Sequence, residues 1–268
     1  MVAGPPHDGR REGGLRRLGS AHGSRNLWKA SGGSGSLRRA RLAVAKALAA
    51  DGVAVAICGR DRGRIDAAAL EVGHDCIGFV ADVSKEAGAK GFVAEAVEAL
   101  GGVDILVANG GGPAPGNFRK TTFDGYREAI ELNLLSGIAM CQAAVPAMCD
   151  AGWGRVVAIT SHIVRQPSPF LITSATARAG LTGFLRALSN EVGPRGVTVN
   201  TAQPGVHATD RMTKLGADID KLLPLIPMRA VGQPEDFGNV VAFLCSEHAK
   251  FITGASLIVD GGQYQGLM

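Results

Sequence analysis

Short apolar runs and longer stretches of helical period take turns along most of the chain. Val53 to Cys58 is apolar at every position, the pattern of a strand covered on both faces. Cys76 to Val80, Val103 to Ala108, Arg155 to Thr160 and Val197 to Thr201 read as further strands. The closing I-T-G-A-S-L-I-V-D-G-G reads as a last strand with a glycine turn. Helical period falls between them: Arg64 to about Val72, a segment opening near Ser84 and Glu86 and running through Val93 to Leu100, and a long stretch from Phe123 to Met148. Two more follow, one through Phe184, Leu185, Leu188 and Val192, the other over Asp236 to Ser246. Strands alternating with helices predict an α/β fold, a doubly wound parallel sheet in one domain spanning residues 37–268.

The regular pattern starts abruptly at Leu42, where L-A-V-A-K-A-L-A-A reads as the second half of a helix leading into Val53 to Cys58. Residues 1–36 are rich in Gly, Arg, Ser and Pro and nearly free of β-branched residues, which predicts an irregular, disordered segment. A transit-peptide reading is open because of the Arg and Ser content, but Asp8, Glu12 and the run Gly4-Pro5-Pro6 oppose it, and no apolar core for a secretory signal exists. A helix and second strand without an apolar strand before them suggest a shifted reading frame or misplaced start upstream of Leu42. Translating the coding DNA in the other two frames checks this: neither frame giving an apolar strand and a Gly-rich loop would refute it.

Charge changes the picture in one respect. The net charge of +4 comes from the first 41 residues, where nine Arg or Lys face two acids; the rest carries nineteen basic against twenty-two acidic residues. A nucleic-acid partner would therefore have to rest on the tail alone, and none is expected. No run of about 18 apolar residues is present, so no membrane span is expected. Cys58, Cys76, Cys141, Cys149 and Cys245 are odd in number and form no C-x-x-C pair, which suits small apolar fillers in a reducing, cytoplasmic setting better than a metal site.

Chemistry concentrates where the run Arg155 to Thr160 ends in Ser161 and then feeds a long helix. This places a hydroxyl at the carboxyl edge of the sheet, where open α/β folds bind ligands. The segment Ser161 to Leu181, together with the motifs around it, resembles the short-chain dehydrogenase/reductase family, in particular its 3-oxoacyl-ACP reductase-like members. The resemblance runs from about Leu42 to Gly262 and implies a Rossmann-like fold.

In that family a strand-end Ser is followed thirteen residues later by Tyr and four residues after that by Lys. Here the spacing lands on Ser174 and Arg178. The resemblance gives Ser the task of positioning a carbonyl, Tyr that of protonating the alkoxide, and Lys that of lowering the Tyr pKa and holding the ribose. A phenol starts near pKa ~10, within reach of a nearby cation. Ser174 is a far weaker and shorter acid, and Arg178 can bind a ribose or phosphate oxygen but is a poor proton shuttle. His162 has an imidazole beside Ser161, yet neighbours at a strand end turn opposite ways. Asn133, polar within an apolar helix, matches the family residue that holds a proton-relaying water, with a packed kink as the plain alternative.

The resemblance also implies a nicotinamide cofactor. The family loop T-G-x-x-x-G-x-G lets backbone approach a pyrophosphate. Counted back from Leu42, Gly35 takes its first glycine and Arg39 and Arg41 the others; with three residues inserted, Gly32, Ser36 and Arg38 align instead, and a flexible linker is the plain reading. Arg60 stands where an acid would favour NAD and so points to NADP, with NAD still open. The family assigns Asp82 and Val83 to the adenine edge, Asp82 also serving as a helix-cap candidate. Asn109 and Gly111 match its N-N-A-G turn, Pro204-Gly205 its nicotinamide-side turn, and Thr209 its carboxamide contact; His207 reads as a surface residue.

Two functions stay open. One is an NADP-linked reductase of a small carbonyl or 3-oxoacyl compound, or an oxidase of the alcohol. The other is a catalytically silent binding or scaffold protein with a damaged cofactor loop. The family's helix pairing implies a homo-oligomer, a tetramer or a dimer.

Overall fold

In the computed structural model, residues 25–29, 36–208 and 219–267 are described. Among the described residues, seven strands form one sheet: β1 (Arg25–Lys29), β2 (Ala54–Gly59), β3 (Ile77–Val80), β4 (Ile105–Asn109), β5 (Gly154–Ile159), β6 (Val197–Pro204) and β7 (Ser256–Val259). Their order is β3-β2-β1-β4-β5-β6-β7, and every pairing is parallel. The order turns back on itself between β1 and β4, the crevice in which such sheets take ligands.

Side chains along each strand alternate between two apolar layers. Ala56, Cys58, Leu106, Ala108, Val156 and Ala158 pack under α3 (Glu86–Leu100), α5 (Ser136–Ala151) and α6 (Ile172–Val192). Val55, Ile57, Ile105, Val107, Val157 and Ile159 pack under α1 (Ser36–Ala50), α2 (Arg62–Val72) and α7 (Pro234–Cys245). Burial on both faces is why the strands read as unbroken apolar runs. Burial also pushes the Cys141 and Cys245 thiols up to about 12, so both sit in the core as inert apolar side chains.

The structure departs from sequence expectation in two places. Arg25–Lys29, inside the stretch expected to be irregular, forms β1 and pairs with both β2 and β4. Arg-Asn-Leu-Trp-Lys holds two adjacent apolar residues between polar ones, too short a run to show as a buried strand. The long helix breaks where Asn133 interrupts its apolar run, into α4 (Phe123–Ile130), a π-helical turn (Glu131–Leu135) and α5. Its span Phe123–Ala151 is also apolar and long enough to cross a membrane by length and hydropathy, contrary to the run-length count, but half of that window is buried within the fold. It serves as a core helix, with Ala139, Met140, Ala144 and Met148 against the sheet.

Candidate active site

The carboxyl ends of β4, β5 and β6 lie side by side, in the registers Asn109 with Ile159 and Ile159 with Ala202. Asn109 closes β4, is buried, and leaves both amide atoms of its side chain without a partner. A buried amide without partners is costly unless a ligand or water meets it. The next residue, Gly110, has no room for a side chain: a carbon added there would sit 2.4 Å from Asn133 Oδ1 and 2.8 Å from the Leu132 carbonyl oxygen. The π turn thus leans its Leu132–Asn133 backbone and amide against the end of β4. Single π turns within α-helices occur often at functional sites. Asn133 is buried, its Nδ2 donates to the Ala129 carbonyl at 3.4 Å, and its Oδ1 has no partner.

Ser161 follows the end of β5 in extended backbone and caps a 3-10 turn, His162–Val164. Its Oγ accepts from the Ile163 N–H at 3.4 Å, which leaves the hydroxyl proton to be donated elsewhere. His162 does not follow strand alternation, because the chain has left β5 by this point. Its ring turns to the end of β6, where Nδ1 stands 3.1 Å from the Pro204 carbonyl oxygen.

Ser174 and Arg178 sit in the first two turns of α6 and are tied to each other: Arg178 Nε donates to Ser174 Oγ at 3.2 Å. The guanidinium also donates through Nη1 to the Ile159 and Thr160 carbonyls at 2.9 and 3.0 Å, and through Nη2 to the Gly110 carbonyl at 3.4 Å. Arg178 is only 3% exposed. The structure thus brings Arg178 to the ends of β4 and β5, where it ties α6 to the two strands.

Of the residues read as cofactor-binding, Arg60 is exposed just beyond β2, and Asp61 after it caps α2 by accepting from Arg64 N–H at 2.8 Å. Asp82 is exposed and accepts from Ser84 N–H and Oγ–H at 3.1 and 2.7 Å, a turn before α3, while Val83 is fully buried in the core. Gly111 lies against Leu132. Pro204 ends β6, and Gly205 is pressed on Asp260, whose Cβ would lie 2.4 Å from an added side-chain carbon. Gly35 and Thr209 lie outside the described residues.

His207 corrects an expectation. It is 7% exposed, not a surface residue: its Nδ1 is 3.3 Å from the Gly205 carbonyl oxygen and its ring meets Phe237 edge-on at 5.5 Å. Burial lowers its pKa, so it is neutral at pH 7, with the Gly205 carbonyl, Asp236 and Asp260 acting in the opposite sense. Gly110 is a second residue missed. The signal was the three-glycine run after β4, in which sequence alone does not say which glycine meets a neighbour. Thr173, also missed, has a buried hydroxyl without a partner and lines a cleft of about 300 Å³ with Pro113, Pro115, Thr121 and Leu132.

A bound dinucleotide fits the described part of this edge. The unpartnered Asn109 amide waits at the crevice, and exposed Arg60 stands beyond β2 on the adjoining side.

A family model described as Enoyl-(Acyl carrier protein) reductase matches residues 42–263, beginning at the residue where the regular sequence pattern starts. The chain belongs to the short-chain dehydrogenase/reductase family and is an oxidoreductase with a Rossmann fold. It is 40% identical over 169 residues to an acetoacetyl-CoA reductase of Cupriavidus necator, covering 62% of this chain and 68% of that protein. It is 33% identical over 236 residues to the 3-oxoacyl-(acyl-carrier-protein) reductase FabG of Aquifex aeolicus, covering 86% of this chain and 95% of that one. A solved Sinorhizobium meliloti 1021 chain of the short-chain alcohol dehydrogenase type superposes with a TM-score of 0.85 at 28% identity, covering 93% of this chain and 100% of that one. The relatives do not favour the silent-scaffold reading.

Proposed function

We propose that the protein is an NADP(H)-dependent, cytoplasmic, homo-oligomeric reductase of a small carbonyl or 3-oxoacyl compound, also able to oxidise the alcohol. The observation that carries this reading is the convergence of Ser161, Asn133 and the unpartnered Asn109 amide on the carboxyl edge between β4 and β5. Likeness to an acetoacetyl-CoA reductase and to a 3-oxoacyl reductase names the substrate class.

The roles follow from the geometry. Ser161, whose Oγ already accepts from Ile163, donates a hydrogen bond to the substrate carbonyl oxygen and orients it. Asn133 Oδ1 holds a water at the edge, and Ser174 and Arg178 keep the ends of β4 and β5 in place beneath it. The cofactor supplies and takes back a hydride when bound. Arg60 would meet its 2′-phosphate; Asp82 and Val83 would lie at the adenine, Gly35 at the pyrophosphate, Asn109 and Gly111 under the ribose and nicotinamide, and Pro204, Gly205 and Thr209 at the carboxamide side.

Bound-nucleotide fluorescence tests the cofactor. NADPH is expected to bind at least tenfold tighter than NADH. Arg60→Ala should remove that preference, since a charge-assisted hydrogen bond is worth about 1.5–3 kcal/mol. Binding to neither nucleotide would end the reductase reading. With acetoacetyl-CoA as probe, Ser161→Ala should lower kcat by roughly 100-fold, the usual size for one lost donor to a developing oxyanion. NADPH affinity should hold, and unchanged turnover would remove Ser161 from its role.

A further inference from the structure

The reductase reading leaves one proton without a source. Reduction of a carbonyl needs a hydride at carbon and a proton at oxygen, and neither hydrogen-bonded member of the Ser174–Arg178 pair is a suitable acid. We infer that His162 supplies that proton, in place of a phenol, to the substrate held by Ser161. This rests on the reductase reading and adds the acid to it.

Three observations carry the inference. First, His162 directly follows Ser161 and opens the 3-10 turn that Ser161 caps, so it lies beyond β5 and the alternation of that strand does not govern it. Second, the ring is oriented. A carbonyl oxygen only accepts, so contact at 3.1 Å with the Pro204 oxygen places a proton on Nδ1 and leaves Nε2 as the nitrogen open to proton exchange with a substrate. An imidazole fixed at one nitrogen by a backbone carbonyl is positioned for acid–base work at the other. Third, the carbonyl that fixes it belongs to Pro204, which ends β6 on the same carboxyl edge of the sheet, and the ring is half-buried rather than solvated.

From other elements, His162 faces His207, on the loop after β6, whose pKa a charged His162 lowers while Asp236 and Asp260 raise it, and the Arg178 guanidinium of α6, which meets the Thr160 carbonyl. Because burial keeps His207 neutral, it does not oppose a positive charge on His162 at neutral pH.

The step balances. The carbonyl carbon gains the hydride, the C=O π pair moves to oxygen, and oxygen takes the proton from His162 Nε2. The ring ends neutral with its Nδ1–H still donating to the Pro204 oxygen, and solvent restores the Nε2 proton before the next turnover. Alcohol oxidation runs the same path backward, with neutral Nε2 as the base.

The test uses the full chain labelled with ¹⁵N-histidine, the His162 signals being assigned by their loss in His162→Gln. In the unliganded protein the neutral ring should show the Nδ1–H tautomer, against the Nε2–H form that predominates for a free imidazole in water. With NADPH and acetoacetyl-CoA, His162→Gln should lower kcat for reduction by roughly 100-fold or more, keep NADPH affinity within about threefold, and lack the alkaline fall in kcat/KM expected of the wild type. A neutral Nε2–H tautomer, or wild-type kcat and pH profile in His162→Gln, would overturn the inference alone. Failure of the wild type to bind NADPH would sink the reductase reading and this inference with it. If the wild type binds NADPH but does not turn over the probe, the ¹⁵N tautomer decides.

Discussion

Replacing Arg178 by Met should lower the free energy of unfolding by about 3 kcal/mol, or roughly 6–12 °C in Tm for a chain of this size. The guanidinium meets the Ile159, Thr160 and Gly110 carbonyls and the Ser174 hydroxyl while almost fully buried. Each buried acceptor left without its donor costs about 1–3 kcal/mol. Part of that is offset because a charge no longer has to be buried, and the Met stem keeps much of the packing. Arg178→Lys should fall between the two, since an ammonium on a single point cannot span two strand ends as a planar fork does. Chemical denaturation reads the effect. Unchanged stability with a large loss of NADPH affinity would mean that Arg178 turns to the ribose, as the family resemblance implied, and is not a strut.

Gly110→Ala should act through the π turn. Its new methyl would lie 2.4 Å from Asn133 Oδ1 and 2.8 Å from the Leu132 carbonyl oxygen, far inside contact distance. One neighbour is a buried side chain and the other is backbone of the turn, so neither yields without moving the helix from the sheet. Overpacking of this kind costs about 1–3 kcal/mol and more when backbone must shift. Because Asn133 is displaced with it, kcat should drop by roughly 100-fold, the scale of a lost positioned group. In the Gly110→Ala/Asn133→Ala pair, stability should recover in part, because one overlap is gone, while activity should not. Full recovery of both would show that Asn133 only fills space.

Much of the fold was legible because a strand buried on both faces has no polar positions to hide it. Ala54–Gly59 and Ile105–Asn109 fall within a residue or two of their sequence bounds. β1 was not legible, because Leu27 and Trp28 alone between Arg25 and Lys29 do not make a run. The site divides in the same way. The places of Ser161 at a strand end and of Asn133 as a polar residue in an apolar helix were readable. The partners of Arg178 were not, because three of them are backbone carbonyls, and a carbonyl has no letter in a sequence. His162 was discounted on strand alternation, a rule whose domain ends where the strand does. The tight approach at Gly110 was hidden by the glycines beside it, which read alike.

The central place of β1 bears on the order in which the molecule assembles. Pairing Asn26 with Ile105 closes roughly eighty residues of chain, a loop that costs about 4 kcal/mol of entropy before any contact repays it. The β2–β3 pair and the β4–β7 group can each form from nearer segments, but they meet only through this strand. Until it docks, each half-sheet offers an open edge to any other unfinished chain, and an open edge is a template for aggregation. The rate at which β1 finds its slot therefore sets how long the newly made protein stays vulnerable.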